Sequence, residues 1–267
     1  MPFALIGFFL AVVYENKAFD WKIFIAIILC MIFARSAAMA FNRYIDEKFD
    51  KLNPRTAVRE IPAGIIKKEN ALLFVIVNGV LFIATTFFIN NICLYLSPVA
   101  LFTILFYSYT KRFTALCHVV LGVGLSLAPI GAYLAVTGFF DLLPILFSFV
   151  VLTWVSGFDI LYALQDEDFD KEHQLNSIPT LLGRKNALVV SILLHFITAI
   201  IVLAIGFIGS FNFIYWMGAI VFIGLLIYQH TLVKPNDISK VNMAFATTNG
   251  IASVVFAIFV MVALFMQ

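Results

Sequence analysis

The chain has 267 residues, 63% of them hydrophobic and only 12% charged, with a net charge of +2 and a mean hydropathy of +1.04. Soluble domains carry about 25% charged residues, so this composition excludes a water-soluble globular fold and places the chain in a lipid bilayer. No basic stripe supports nucleic-acid binding. Cys30, Cys93 and Cys117, odd in number and without CxxC spacing, read as buried packing residues rather than disulfide partners or ligands.

An apolar run at 2–14 opens the chain. It is too short for a crossing, which needs about 20 residues. It lacks the basic leader and small-residue cleavage site of a signal peptide, and reads as a first helix whose amino-terminal turns are missing from this sequence. Runs of spanning length follow at roughly 21–42, 70–90, 92–110, 114–138, 142–164, 186–209, 211–231 and 242–266. The expectation is an all-α polytopic membrane protein of nine helices, forming a single domain over 1–267.

Fourteen of the 17 Lys and Arg residues fall in the connections after helices two, four, six and eight, against Lys17 and Lys22 on the other side and Arg35 within helix two. This positive-inside bias predicts an N-in, C-out topology in a bacterial-type cytoplasmic membrane. The connections at Asn90-Asn91, Gly138 to Asp141 and Gly209 to Asn212 are minimal turns on the outer side. The long cytoplasmic loops are expected at about 45–69 and 165–185, and they share a short resemblance. Ile61-Pro62-Ala63-Gly64-Ile65-Ile66-Lys67-Lys68-Glu69-Asn70-Ala71-Leu72 aligns, with one gap, to Ile178-Pro179-Thr180-Leu181-Leu182-Gly183-Arg184-Lys185-Asn186-Ala187-Leu188. Two related halves facing one cavity would produce such a repeat.

Each long loop follows an acidic ladder. Residues four apart on a helix are neighbours, so Asn42, Asp46 and Asp50 share one face, and Asp159, Tyr162, Asp166 and Asp170 form a second polar row. Acidic residues at membrane depth mark functional sites. Carboxylates at i and i+4 suit Mg²⁺, which takes one or two carboxylates plus phosphate oxygens and water. Two ladders facing one another would hold two ions bridged by a diphosphate, with Arg43, Arg55, Arg59, Lys111 and Arg112 balancing the remaining charge. If that diphosphate is the leaving group of an allylic lipid, metal neutralisation eases its departure. Aromatic residues would stabilise the resulting cation, and Tyr44, Tyr107, Tyr109 and Tyr162 are the nearest tyrosines by sequence. Glu47, Asp168 and Glu172 point off the ladder faces and read as solvated charges. His118, His195 and His230 read as isolated structural residues. Arg35, seven residues before Asn42, shares its face and needs a partner: either an internal ion pair or the carboxylate of an aromatic substrate.

The motifs Asn42-x3-Asp46-x3-Asp50, Asn53-Pro54-Arg55-Thr56 with Arg59 and Pro62, Tyr107-Ser108-Tyr109-Thr110-Lys111-Arg112, and Asp159-x2-Tyr162-Ala163-x2-Asp166-x3-Asp170 followed by Ser177 together resemble the UbiA-type intramembrane prenyltransferases over essentially the whole chain. The resemblance implies helices around a central cavity, metal at Asp46, Asp50, Asp166 and Asp170, and substrate contacts from Asn42, Arg43, Arg55, Arg59, Tyr107, Lys111, Arg112, Asp159, Tyr162 and Arg35. It implies Mg²⁺-dependent transfer of a polyprenyl group from its diphosphate to a small aromatic acid in ubiquinone or menaquinone biosynthesis. Phe158 to Asp166 and Asn176-Ser177-Ile178-Pro179 are similar to the 4-hydroxybenzoate polyprenyltransferase branch. Arg43 stands where many members carry Asp, giving the first ladder one carboxylate fewer. Haem and glycerol phosphate are alternative acceptors, and a cation-coupled transporter is the alternative of another class.

Overall fold

The structure, a computed structural model, describes residues 1–266. Its helices are α1 (Pro2–Tyr14), α2 (Trp21–Leu52), α3 (Lys68–Phe87), α4 (Asn91–Thr110), α5 (Cys117–Thr137), α6 (Leu142–Ala163), α7 (Glu167–Glu172), α8 (Ile178–Ile208), α9 (Phe213–Leu232) and α10 (Asn249–Phe265). Among the described residues, eight helical segments are long and apolar enough to cross a membrane, and α1 is a shorter apolar helix beside them. The all-helical polytopic fold is therefore as expected from the apolar runs.

Four helices start on side-chain caps at the end of the bundle opposite the acidic ladders. Asp20, Asn90, Asp141 and Asn212 each accept a backbone N–H from the first turn, satisfying a donor that the helix itself leaves free. These caps let the connections at that end be tight, and Gly138 completes one turn in the left-handed region at φ 75°.

The two ladder-side loops are shorter than expected, and both corrections have the same cause. Loss of apolar character after residue 42 ends the membrane run but not the helix: α2 continues to Leu52, stapled by Lys51 Nζ to Glu47 Oε1 at 2.8 Å, an i,i+4 pair. At 1.5 Å per residue α2 is about 48 Å long, longer than the ~30 Å hydrocarbon layer, so the Asn42–Asp46–Asp50 face stands at its polar end. In the second loop, a tight 3₁₀ turn at Leu164–Asp166 leads into α7. Helix α8 then begins at Ile178 rather than near 186, on a capping box made by Ser177 and Thr180 with Pro179 in the first turn. The backbone breaks at Gly183 (φ 75°, ψ 164°). Gly64 in the other Ile-Pro segment also has φ 75°, but it lies two residues after its proline where Gly183 lies four after Pro179; Ile61 and Ile178 are each 6% exposed. The sequence repeat is thus not matched by a common backbone: residues 61–66 are turns and bends, whereas Ile178 opens α8.

Small residues set the helix crossings, as is usual where lipid offers no hydrophobic drive for association. A Cβ on Gly7 would lie 2.0 Å from the Pro129 carbonyl oxygen, so α1 and α5 cross backbone to backbone. Gly122 meets Ser156 and the Leu152 carbonyl, joining α5 to α6, and Gly157 meets the His195 ring, joining α6 to α8. Hydrogen bonds reinforce the α6–α8 crossing: Ser191 Oγ donates to the Gly157 carbonyl at 2.7 Å, and the Thr153 and Thr198 hydroxyls lie 2.7 Å apart. His195 and His230 are not isolated, since Nδ1 of one is 2.8 Å from Nε2 of the other. Gly7→Ala should force α1 off α5 and cost about 1–3 kcal/mol, read as a lower unfolding temperature in detergent; an unchanged temperature would contradict the close crossing.

Candidate active site

The ladder ends of α2, α4, α5 and α6, with the loop after α2, α7 and the segment preceding α10, enclose a cavity of about 340 Å³. Both acidic ladders reach it. Its lining includes Asn42, Asp46, Asp50, Arg55, Arg59, Tyr107, Lys111, Arg112, Asp159, Tyr162, Asp166 and Asp170, so the long-range convergence of the two ladders is present in the fold. The second ladder does not lie on one regular helix. The turn at Leu164–Asp166 re-aims the chain, so that Asp170 projects from α7 and is only 1% exposed.

Each of the four aspartates is crossed by a cation from another segment. Arg112, in the turn after α4, reaches Asp46 Oδ1 at 3.0 Å and also donates to the Ile45 carbonyl at 2.9 Å. Arg59 donates from Nη1 to both oxygens of Asp50, at 3.0 and 2.9 Å. Arg55 spans from the first half to the second, with Nη2 2.9 and 2.7 Å from the Asp166 oxygens. Lys111 Nζ lies 2.8 Å from Asp170 Oδ1. Neutral groups complete the network, with Asn42 donating to Asp46 Oδ2 at 3.0 Å, Asn53 donating to Asp166 Oδ1 at 3.3 Å, and the Tyr162 hydroxyl accepting from Arg55 Nη1 at 3.1 Å. Burial alone would push the Arg55 and Lys111 side chains down in pKa, but the Asp166 and Asp170 carboxylates outweigh it and both are raised above their ordinary values.

The donor set fits a hard cation. Every candidate ligand is an oxygen, and buried Asp170 Oδ2 has no hydrogen-bond partner among the described residues. No group of three or more His, Cys, Asp or Glu closes into a metal cage among the described residues. Paired carboxylates that leave the remaining positions to phosphate oxygens and water are the usual arrangement for Mg²⁺.

Several candidates lie outside this cavity. Arg43 forms a salt bridge with Glu60 instead, fastening the loop that carries Arg55 and Arg59 to α2. Tyr44 lines a separate groove with Lys68 and Leu72, and Tyr109 packs against Phe41 and Arg112. Arg35 is exposed on α2, does not line the cavity, and has no ion pair or hydrogen bond among the described residues. Glu47 is not simply solvated: it is 16% exposed and held by Lys51 and Lys68 at 2.8 and 2.9 Å. Asp168 is exposed but pairs with Arg184 at 3.1 Å. Conversely, His118 belongs to the site. Its Nδ1 is 2.7 Å from Asp159 Oδ2, while its Nε2 accepts the Ile178 N–H at 3.3 Å, so it joins α5 to α6 and to the start of α8. Phe49, Leu121, Phe169 and Phe245 also line the cavity. As apolar residues within apolar or loop sequence they carry no distinguishing pattern.

The family model described as the UbiA prenyltransferase family matches residues 1–251. The chain belongs to the UbiA prenyltransferase family. It is accordingly a prenyltransferase and a multi-span membrane protein. A 4-hydroxybenzoate octaprenyltransferase of Tolumonas auensis is 32% identical over 223 residues, covering 84% of this chain and 78% of the relative. One from Aliivibrio fischeri is 28% identical over 237 residues, covering 89% and 82%. Among solved structures, the apo UbiA homolog from Aeropyrum pernix K1 superposes with a TM-score of 0.87 at 27% identity, covering 98% of this chain and 96% of that one. A UbiA homolog from Archaeoglobus fulgidus bound to GPP and Mg²⁺ shares the fold, with a TM-score of 0.72 at 20% identity and 98% and 95% coverage.

The Lys111–Asp170 pair gives a testable sign. A cation raised above its unfolded pKa contributes stability that is complete below the ordinary lysine value of 10.5 and is lost only as pH climbs through the folded value. Lys111→Met should strand a buried carboxylate and cost about 2 kcal/mol in thermal unfolding, less than a fully buried pair because Lys111 is 35% exposed. Relative to that variant, the native protein should keep its advantage across neutral pH. An advantage that disappears between pH 6 and pH 8, on the order of two units below the lysine range, would contradict the pairing.

Proposed function

We propose that the chain transfers a polyprenyl group from its diphosphate to a small aromatic acid of the 4-hydroxybenzoate or hydroxynaphthoate type, with Mg²⁺, in ubiquinone or menaquinone biosynthesis. The observation that carries this reading is the convergence of both acidic ladders on one cavity, each carboxylate matched to its own cation. That arrangement has a natural exchange partner in a magnesium diphosphate, whose anionic oxygens suit the arginines and lysine and whose cations suit the aspartates. Asp46, Asp50, Asp166 and Asp170 would hold the metal, assisted by Asn42. Bound there, Mg²⁺ supplies neutralisation of the leaving diphosphate.

Arg55, Arg59, Lys111 and Arg112, released from the carboxylates, take the phosphate oxygens, Arg by bidentate contacts and Lys as a point charge. The allylic C–O bond breaks with its electron pair leaving on the diphosphate, a ring carbon of the acceptor forms the new C–C bond, and the proton of that carbon passes to the released diphosphate. Tyr107, Tyr162 and Asp159 line the same space for the acceptor. Arg35 lies about two turns from Asn42 on the same face, outside the cavity lining and without a counter-charge among the described residues, so an acceptor carboxylate would meet it only where that face leaves the cavity. The gathering of carboxylates at one end of the bundle argues against a transport path, which would distribute them through the membrane depth. The basic loops support a cytoplasmic position for that end, and with it an N-in, C-out chain in a bacterial-type inner membrane that works as one domain over 1–267.

Asp46→Asn and Asp166→Asn should each lower Mg²⁺-dependent prenyl transfer on the order of 10²–10³-fold in membranes given a radiolabelled polyprenyl diphosphate and a panel of aromatic acids. Unchanged turnover in both would remove the ladders from the reaction. Arg35→Ala should raise KM for the aromatic acid by about 10–100-fold, the range for a lost charge-assisted hydrogen bond, while KM for the prenyl diphosphate holds. An equal effect on both substrates would sink the carboxylate assignment.

A further inference from the structure

Ahead of α10 the backbone winds as a π-helical turn over Met243–Thr248, a feature that occurs mostly at functional sites. The extra residue in such a turn leaves carbonyls without their usual partners, and here Asn249 supplies them. Its Nδ2 donates to the Ala244 and Phe245 carbonyls at 3.2 and 3.0 Å. Its Oδ1 accepts the Trp154 indole N–H at 3.0 Å. Asn249 and Trp154 are each 6% exposed, so both amide donors and the acceptor of a buried asparagine are committed to holding this turn against α6.

The turn decides where Phe245 points. One residue more or less rotates a helical side chain by roughly 100°, so relaxing the turn to a regular helix would swing the ring out of place. Where it stands, Phe245 stacks on Tyr162 with ring centroids 4.0 Å apart and planes 28° apart, and lines the cavity. Phe158 buttresses it edge-on at 5.5 Å. Tyr162 in turn accepts a hydrogen bond from Arg55, whose other nitrogens hold Asp166.

We propose that Phe245 is a positioning residue for the diphosphate end of the site: fixed by the π-helical turn and Asn249, its ring backs Tyr162 so that the tyrosine hydroxyl aims Arg55 at Asp166 and at the pyrophosphoryl group of the substrate. This rests on the assignment of Arg55 to diphosphate under the proposed function. It adds the approach to α10, which contributes no ladder residue, to the machinery that orients the loop after α2.

The test is calorimetric binding of an unreactive prenyl thiodiphosphate in detergent with Mg²⁺ present. Phe245→Leu should weaken binding about five- to tenfold, a loss of the size expected for one well-placed hydrogen bond. Phe245→Tyr, which keeps the stack, should stay within about twofold of wild type. Asn249→Leu reaches the same ring through the backbone and should reproduce the loss if the Phe245 variant folds poorly. In an Arg55→Ala background, Phe245→Leu should add less than about twofold, because residues acting through one another are not additive. Full additivity, or an Arg55→Ala protein that loses affinity while Phe245→Leu and Asn249→Leu do not, overturns the inference and leaves the proposed function standing. An Arg55→Ala protein that binds as wild type overturns the assignment of Arg55 itself, and with it this inference.

Discussion

Carboxylates at the edge of a hydrocarbon layer are tolerated only when their charge is met, and that requirement shapes this protein. Asp50 and Asp170 are almost wholly buried, at 6% and 1% exposed, and each has a cation within 3 Å. The partners come from other segments: Arg112 and Lys111 from the turn after α4, Arg55 and Arg59 from the loop after α2. Neutralising the ladders therefore also ties the two halves of the bundle together. Stability and function compete for the same groups, since a site that binds an anion and its metal must first give up ion pairs that hold it shut.

The scaffold supplies the geometry for that exchange. Helix α2 is long enough to carry its polar face beyond the apolar layer. Close crossings at Gly7, Gly122 and Gly157 hold α1, α5, α6 and α8 in fixed register below the cavity. Outside the carboxylate pairs, a second set of bridges (Arg43 to Glu60, Glu47 to Lys51 and Lys68, Glu167 to Lys171 and Arg184) anchors the loops rather than the ligand groups. Arg43 thereby acts on the loop rather than on the carboxylates.

How much of this can be read from sequence depends on the range of the interaction. The ladders announce themselves because i,i+4 aspartates at the end of an apolar run are costly unless they bind something, and the apolar runs give the helices. Helix ends fail where the signal changes character: α2 passes through Glu47 and Lys51 as a charged helix, and hydropathy ends it some ten residues early. Pairings between residues more than 40 apart, such as Arg55 with Asp166 or His118 with Asp159, have no local trace. Phe245 is one phenylalanine among 30. The one clue to it is Asn249, a polar residue inside an apolar run, whose partners only the fold reveals.

If the carboxylates are already neutralised by the protein's own cations, metal alone should compete poorly for them and metal with diphosphate should compete well. Titration calorimetry of Mg²⁺ into the detergent-solubilised protein, with and without a saturating unreactive prenyl thiodiphosphate, measures this directly. Mg²⁺ alone should bind weakly, and at least about tenfold tighter with the analogue present, a coupling of about 1.4 kcal/mol. Equal Mg²⁺ affinity in the two titrations would contradict the exchange of ion pairs for a metal diphosphate.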